Sequence, residues 1–407
     1  MKWVFWLSFC GIAYAYVGYP LGIWFLARFR PSRWQTAPIN PKVSIVLAVH
    51  NGAHLLAAKL HHLFTLDYPN ISEIIVVSDG SADATGEVLA RHQHALLKTI
   101  VLEEHRGKAA AVNAGVELAT GEIILFIDIR PEIAPGAIHC LMENFADAKV
   151  GCVAGELVLR QEGQDLTSQA VGGIYWRYEQ WIRKCEAAFD SPVGVYGGFY
   201  AIRRELFTPY PPGIILDDMF QPLSVIRKGY RSILDPRAVV YDAWPKKVEG
   251  EFQRKVRTLA GNFQLFQLAP WTLTPANRVH FQLFSHKVMR LIVPYLLVLM
   301  FVSTAFLSSG SSLFKAFLAL QTIGWIVALV GLRFSIPLLG RVVAPVSALL
   351  ALNAAAVVGL WKFLLIRNDL WKIWNSSKPD GAGQTTKSES RVELQDAVSG
   401  PAIAKRT

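Results

Sequence analysis

The sequence predicts an α/β domain with a mostly parallel sheet, flanked by apolar helices long enough to cross a membrane. Between Pro38 and Pro270, short β-branched apolar runs alternate with helical segments, which is the pattern of repeated βα units. Four longer, nearly uncharged runs lie outside this block. Of the 407 residues, 52% are hydrophobic and 18% are charged, a composition too apolar for an ordinary soluble enzyme.

The first apolar run, Trp3 to Ala27, is long enough to span about 30 Å of hydrocarbon, and three arginines follow it within six residues. The positive-inside tendency therefore predicts an N-terminal transmembrane helix over residues 1–28, with the following domain in the cytoplasm. A cleaved signal peptide is the alternative, because residues 13–15 read Ala-Tyr-Ala. The apolar run continues past that motif, which favours the membrane helix.

A C-terminal membrane region of about three helices is predicted over residues 288–366, from the runs Val288–Leu307, Leu313–Leu332 and Val342–Leu365. A third crossing would place Lys362 outside, against the positive-inside tendency. A broken or re-entrant segment near Asn353 is therefore an alternative, and the side of the C-terminus stays open.

Two flanking segments have other expected structures. Residues 274–287 mix basic and apolar side chains, which indicates an interfacial helix or an ordinary amphipathic domain helix. The polar, aperiodic tail at 379–407 is predicted to be disordered.

Charge and cysteine content add little. We assign much of the formal charge of +10 to the cytoplasmic flanks of a membrane protein in contact with the lipid bilayer, and we expect no nucleic-acid partner. The four cysteines have no paired spacing, so the sequence suggests neither a disulfide framework nor a zinc site.

The soluble block, residues 38–270, begins with three strand-like runs, Val43–Val49, Glu73–Asp79 and Glu122–Asp128. Ligands of parallel sheets bind at the carboxyl ends of the strands, and both Asp79 and Asp128 end a strand. Periodicity therefore indicates a nucleotide-binding fold without naming the nucleotide.

A series of motifs continues through the block in the order VSIVLAVHN, VVSDGSADAT, GKAAAVNAG, FIDIR, YGGFYAIRRELF, ILDDMFQPLSVIRKGYR and EFQRKVRT. This order resembles the processive, membrane-embedded family 2 glycosyltransferases, the group of cellulose, chitin and hyaluronan synthases. The resemblance implies an α/β GT-A fold and inverting transfer of a sugar from a nucleoside diphosphate, usually UDP. It also implies a glycan or lipid-linked acceptor.

The resemblance assigns a role to each candidate residue. Asp128 is expected to bind a divalent metal on the diphosphate, and hard oxygen ligands suit Mg²⁺ or Mn²⁺. Asp218 is the expected base that deprotonates the acceptor, oriented by Asp217. The expected nucleotide-sugar contacts are Asp79, Lys108, Asn113, Arg130, Arg254 and Arg257. The expected acceptor loop contains Gly197, Gly198 and Phe199.

Taken alone, these residues have structural alternatives. Asp79 suits a turn or helix cap, and Asp218 suits a helix N-cap. Arg254 and Arg257 suit a solvated basic helix face. Their place in the motif series favours the functional interpretation.

The sequence departs from the family pattern at two motifs. Arg130 stands where a second metal carboxylate is usual, and Glu132 is a possible replacement ligand. Alternatively, one carboxylate, diphosphate oxygens and water hold the metal, while Arg130 adds positive charge near the phosphates. Arg254 stands where Gln is expected and Thr258 where Trp is expected, so the acceptor geometry is open.

The sequence therefore predicts a multi-pass inner-membrane enzyme with a cytoplasmic catalytic domain that extends a glycan, with polysaccharide-export proteins as possible partners. Transfer of one sugar to a polyprenyl phosphate is a second hypothesis. A non-catalytic scaffold or export partner is the third. The presence of Asp79, Asp128, Asp218 and Arg257 favours an enzyme.

Overall fold

A computed structural model of the chain describes residues 1–160, 166–243, 248–333, 340–366 and 370–371. The predicted disordered tail, 379–407, lies outside the described residues. The strands are β1 Val43–Val49, β2 Ile71–Asp79, β3 Leu97–Leu102, β4 Ile123–Ile127, β5 Glu132–Ile133, β6 Val150–Arg160, β7 Phe199–Arg203 and β8 Arg231–Ala243. The helices are α1 Lys2–Ala13, α2 Tyr19–Phe29, α3 Ala53–Phe64, α4 Thr85–Arg91, α5 Lys108–Glu117, α6 Ala137–Glu143, α7 Leu166–Phe189, α8 Asp217–Arg227, α9 Val248–Leu268, α10 His280–Leu283, α11 Met289–Ser308, α12 Ser312–Arg333 and α13 Gly340–Leu365.

The eight strands form one sheet in the order β3-β2-β1-β4-β7-β6-β8-β5. The first four strands in this order are parallel. β1, β2 and β4 are mostly buried, which explains their continuous apolar runs, whereas β3 at the sheet edge is partly exposed. Strand β7 runs antiparallel to β4, so its first residue, Phe199, lies beside Ile127 at the end of β4. The amide of Asp128 accordingly donates to the carbonyl of Gly198 at 3.2 Å. The reversal of β7 brings the glycine loop to the carboxyl edge of the parallel strands.

The opposite edge of the sheet is fastened by one buried carboxylate, Glu73 on β2. It accepts hydrogen bonds from the Ser44 hydroxyl, from the amide of Thr120 at 2.8 Å and from Lys98 at 3.2 Å. Burial alone would raise the pKa of Glu73, but these hydrogen bonds outweigh it and lower the pKa to about 2. Glu73 thus ties β1, β3 and the turn before β4 to β2.

The N-terminal helix runs from α1 through a single π-helical turn into α2 and packs against α11. Polar bonds along its length join it to other elements. The hydroxyl of Tyr14 lies 2.7 Å from that of Ser285, and Tyr178 of α7 donates to the carbonyl of Tyr16 at 2.7 Å. These contacts make the N-terminal segment part of the folded unit.

A buried charge cluster, which we call the junction cluster, joins the domain to the apolar helices. The imidazole of His286 lies 2.9 Å from Glu179 and 2.8 Å from Glu186, both on α7. Arg290 of α11 pairs with Glu179 at 2.5 Å, and Tyr19 of α2 donates to Glu186 at 2.6 Å. Buried charges left unpaired are costly, so this cluster fixes the helices relative to α7.

Residues 274–287, for which an interfacial or an amphipathic domain helix was predicted, do not form a separate helix. A 3₁₀ turn at Pro270–Leu273 is followed by α10, which begins at His280 and continues through a π turn into α11. The residues from 280 onward therefore belong to the long apolar helix, and the basic side chains predicted to meet lipid head groups instead include His286 of the junction cluster.

Within the described residues, four helices are long and apolar enough to cross a membrane: Lys2–Phe29, His280–Ser308, Ser312–Arg333 and Pro345–Leu365. The number agrees with the four apolar runs of the sequence. Their exposed side chains are mostly large and hydrophobic, which suits contact with lipid.

Helix α13 is continuous through Asn353, so the predicted break there does not form. Its C-terminal half packs on α9, a helix of the domain. A Cβ at Gly359 would lie 3.0 Å from the amide nitrogen of Ala260, and the rings of Phe363 and Phe263 stack 5.9 Å apart. The end of α13 therefore lies on the domain's side.

The hydrogen bonds of Glu73 predict a pH-dependent contribution to stability. Replacing Glu73 with Gln should destabilise the protein at pH 7 by roughly 2–3 kcal/mol, because the depressed pKa means that the folded state favours the carboxylate. This contribution is present above the unfolded pKa near 4.5 and is lost as the pH falls towards 2. Melting temperatures in detergent should therefore differ most at neutral pH and converge in acid. Glu117→Gln, at an exposed site on α5, is the matched control, and an equal shift in both variants would contradict this account.

The packing of α13 predicts the side on which it ends. In a background without native cysteines, Ile366→Cys should react with an impermeant thiol reagent from the same side as Glu87→Cys on the domain surface. Ser309→Cys, between α11 and α12, should react from the other side. Oriented membrane vesicles provide the measurement, and labelling of Ile366→Cys together with Ser309→Cys would rule out this arrangement.

Candidate active site

Lys108 joins two carboxylates that are far apart in sequence. Its Nζ lies 3.1 Å from Asp128, just after β4, and 2.9 Å from Asp217, the first residue of α8. Burial alone would lower the pKa of Lys108, but the two carboxylates outweigh it and hold the pKa well above its usual value. The ammonium group therefore remains charged between them.

The loop before α5 aims Lys108 at this position. Gly107 has a φ of 88°, a backbone conformation that favours glycine, and α5 begins at the next residue. Asp79 holds the loop, because its Oδ1 accepts the amide of Arg106 at 2.8 Å and its Oδ2 lies 2.8 Å from the imidazole of His105. Asp79 is thus buried and fixes the segment that leads to Lys108. Its contact with a nucleobase remains a prediction.

Asp217 and Asp218 form the first turn of α8, where the helix dipole favours negative charge. The Oδ1 of Asp218 is shielded from solvent and has no hydrogen-bond partner among the described residues. Burial first, and then the charge of Asp217, raise the pKa of Asp218 to about 6, while nearby cations including Lys108 partly offset the effect. With Asp217 paired to Lys108, Asp218 is the member of the pair suited to accept a proton.

The predicted acceptor glycines lie against this pair. A Cβ added to Gly197 would lie 3.0 Å from the Cβ of Asp218 and 3.9 Å from the Nζ of Lys108. A Cβ at Gly198 would lie 2.7 Å from the ring of Tyr196. A side chain at either position would therefore crowd Asp218 or Tyr196.

Two predicted ligand contacts are corrected by the structure. Phe199 is fully buried in the core of the sheet, so its ring is not available to stack on an acceptor. Asn113 uses both ends of its amide on the backbone of Tyr210, with bonds of 3.0 Å and 2.9 Å. Asn113 therefore positions the loop after β7, and the GKAAAVNAG motif contributes Lys108 to the carboxylates.

Helix α9, which carries Arg254 and Arg257, is attached to the loop that precedes Asp217. Gln264 accepts the amide of Ile215 at 3.0 Å and donates to the carbonyl of Gly213 at 2.9 Å. The hydroxyl of Thr258 bonds to the carbonyl of Arg254 in its own helix and provides no stacking surface. The contacts of the two arginines with a diphosphate remain predictions.

Arg130 lies beside Asp128 and forms an ion pair with Asp242, at the end of β8, at 3.5 Å. Glu132 instead pairs with Arg160 at 2.9 Å on the exposed edge of the sheet. Sequence reasoning missed Asp242, because nothing in the spacing shows that β5 and the end of β8 are antiparallel neighbours.

The carboxylate oxygens of the candidate site suit a metal ion that takes most of its ligands from the substrate. Among the described residues, no group of three or more His, Cys, Asp or Glu side chains could hold a metal ion. The carboxylates of Asp128 and Asp242 are hard oxygen donors. Each forms an ion pair with a basic side chain, Lys108 or Arg130. Such a donor set fits Mg²⁺ or Mn²⁺ that takes its other ligands from a diphosphate and water, and does not fit an all-protein cage.

Comparison with known proteins identifies the domain. The family model for Glycosyl transferase family 2 matches residues 44–209, which include β1, the Asp79 strand, Lys108, Asp128 and the glycine loop. This segment is a family 2 glycosyltransferase domain. The predicted family and its GT-A fold are confirmed.

The family 2 domain has both curated relatives and a solved structural neighbour. Poly-β-1,6-N-acetyl-D-glucosamine synthase of Staphylococcus epidermidis is 24% identical over 245 residues, 58% of each chain. The synthase of Staphylococcus aureus strain COL is 24% identical over 232 residues, 55% of each chain. The chain thus spans less than two thirds of the length of these relatives. A mannosyltransferase of Pyrobaculum calidifontis, solved with GDP-Man and Mn²⁺, has a TM-score of 0.67 and 25% identity, covering 88% of this chain and 99% of its own.

The environment of Asp218 predicts its titration. A protonated-carboxyl infrared band should disappear with a midpoint near pH 6 in the wild type and should be missing from Asp218→Asn. In Asp217→Asn the midpoint should move to lower pH, because the neighbouring negative charge that raises the pKa is removed. An unchanged midpoint in Asp217→Asn would show that this charge does not act on Asp218.

Proposed function

We propose that this chain is an inverting glycosyltransferase that moves a sugar from a nucleoside diphosphate donor to a growing polysaccharide. The observation that carries the proposal is the solvent-shielded Asp218 oxygen, without a partner among the described residues, beside the Lys108 bridge between Asp128 and Asp217. The family 2 domain and the polysaccharide synthases among its relatives support the same reaction class.

The donor binds at the carboxyl edge of β1, β2 and β4. Lys108 and Arg130 supply positive charge there, which stabilises the negative charge that develops on the leaving diphosphate. A divalent metal bound with the donor adds Lewis-acid stabilisation to the same oxygens. Asp79 keeps the loop before Lys108 in place, so the ammonium is preorganised before the donor arrives.

The acceptor hydroxyl binds next to Asp218, against which the Gly197 backbone packs closely. Asp218 takes the hydroxyl proton as the acceptor oxygen attacks the anomeric carbon, and the diphosphate departs from the opposite face of the sugar. A single displacement of this kind inverts the anomeric configuration. A base with a pKa near 6 is ionised at neutral pH and remains a useful proton acceptor.

The four apolar helices hold the enzyme in the membrane with its domain in the cytoplasm, where sugar nucleotides are available. The junction cluster supports this arrangement, because it connects α2 and α11 to α7 through paired buried charges. Export partners remain an expectation from the sequence.

Transfer of one sugar to a polyprenyl phosphate is the second candidate. One observation favours it: Thr258 gives no aromatic floor for a polymer. The synthases and the mannosyltransferase are named for different sugars. Experiment therefore has to identify the nucleobase and the sugar of the donor.

The test is donor turnover by the full chain in lipid nanodiscs. A panel of UDP- and GDP-sugars with Mg²⁺ or Mn²⁺ should give nucleotide release with one donor. Asp218→Asn should lower the rate by about 10²–10⁴-fold, the usual contribution of a general base. Glu117→Gln, on the exposed face of α5, is the matched control and should keep the wild-type rate.

The product decides between the two candidates. A ladder of increasing length establishes polymer synthesis, and one added sugar on polyprenyl phosphate establishes single transfer. If native membranes that contain the chain also turn over no donor, the glycosyltransferase proposal is wrong and the scaffold hypothesis replaces it.

A further inference from the structure

The sequence Asp128-Ile129-Arg130 lacks a second carboxylate, and Glu132 does not supply it. Glu132 is 66% exposed and pairs with Arg160, whose guanidinium also lies 3.8 Å from the centre of the Tyr241 ring. Glu132 and Tyr241 are register partners in the antiparallel pair of β5 and β8. Glu132 therefore belongs to a surface group at the sheet edge, on the side of Tyr241.

Asp242 is the next residue along β8, and side chains alternate between the faces of a strand. It therefore leaves the sheet on the face opposite Tyr241. Its carboxylate is 11% exposed and lies 3.5 Å from Arg130, two residues after Asp128. Antiparallel pairing of β5 with β8 thus returns a carboxylate to the segment that follows Asp128.

Two further side chains lie near both Asp128 and Asp242. Burial first, and then the charges of Asp128 and Asp242, raise the pKa of Tyr196. Lys59 is buried, donates to the carbonyl of Pro131, and lies within electrostatic reach of Asp128, Glu132 and Asp242. One phenol and one ammonium are thus within electrostatic reach of both carboxylates, which come from different strands.

We propose that Asp242 is the second carboxylate of the divalent-metal site, supplied by β8 in place of the residue that Arg130 occupies. In the ligand-free protein, Arg130 balances the charge of Asp242, as Lys108 balances Asp128. A divalent cation takes over that balance when it binds with the donor, and the charge of Arg130 becomes available to the diphosphate. This inference rests on the proposed sugar-nucleotide function.

The ligand preferences of divalent metals favour a site with both Asp128 and Asp242 over a site with Asp128 alone. Mg²⁺ and Mn²⁺ prefer hard oxygen ligands, and sites that bind through substrate phosphates use one or two protein carboxylates. Two carboxylates also offset the positive charge that Lys59, Lys108 and Arg130 concentrate around the metal position. Without Asp242, these cations would be opposed by Asp128 and by Asp217, which Lys108 already pairs.

The test measures Mn²⁺ binding by electron paramagnetic resonance on the full chain in nanodiscs, with UDP in one series and GDP in another. Asp242→Asn should weaken Mn²⁺ binding by about tenfold or more, a loss that even outer-shell partners of metal ligands produce. Asp128→Asn should do the same. Glu132→Gln, the matched carboxylate control, should bind Mn²⁺ like the wild type.

Two further variants separate a ligand from a structural residue. Arg130→Asp should make Asp242 dispensable, so that Arg130→Asp with Asp242→Asn recovers Mn²⁺ binding through the new carboxylate. Asp242→Glu keeps the charge and should alter the Mn²⁺ spectrum while the melting temperature stays near that of the wild type. A purely structural Asp242 would show neither rescue nor a spectral change.

The outcomes distinguish this inference from the proposed function. If Asp242→Asn binds Mn²⁺ like the wild type while Asp128→Asn does not, the assignment of Asp242 is overturned and sugar transfer stands. Donor turnover without any metal binding also overturns it. If the wild type binds neither nucleotide nor metal and turns over no donor, both the inference and the proposed function are wrong.

Discussion

The Lys108 ammonium is the interaction on which the candidate site depends. It lies between Asp128, at the end of a parallel strand, and Asp217, at the start of α8. These two elements are connected covalently only through the long segment of chain between them. A cation shared by two carboxylates sets the distance between the donor side and the acceptor side. The glycine at 107 and the Asp79 bonds to the following loop serve this single placement.

The same arrangement separates the roles of two adjacent carboxylates. Asp217 is neutralised by Lys108, whereas Asp218 keeps one shielded oxygen without a partner among the described residues, so burial and its neighbour raise its pKa. The environment thus raises the proton affinity of Asp218, one of two identical neighbouring side chains. The reversal of β7 matters here because it delivers the glycine loop to the side of Asp218.

Much of the fold could be predicted from sequence because parallel strands are buried on both faces. β1 has the bounds of its apolar run, Val43 to Val49, and the sequence also predicted the strand that ends at Asp79. The resemblance of the motif series to family 2 glycosyltransferases also brought Lys108, Asp128 and the Asp217-Asp218 pair into one predicted site. Pairing between distant strands could not be predicted, and Asp242 depends on it.

Two other differences between the sequence predictions and the structure also have physical causes. The family resemblance placed Phe199 in the acceptor loop, but the start of β7 buries Phe199 in the core. Apolar length predicted the last helix but not its packing, because no local pattern shows that Gly359 lets α13 approach the backbone of α9.

The position of α9 between α13 and the loop before Asp217 affects how the protein can be divided. Gln264 of α9 holds that loop, while Gly359 and Phe363 of α13 pack against α9. A fragment that ends after α9 keeps the whole sheet and all of the site carboxylates, yet exposes the flank of the helix that steadies Asp217. Detaching the domain from its apolar helices to obtain a soluble enzyme therefore removes the packing that supports α9, and with it part of the support for the loop that leads to the general base.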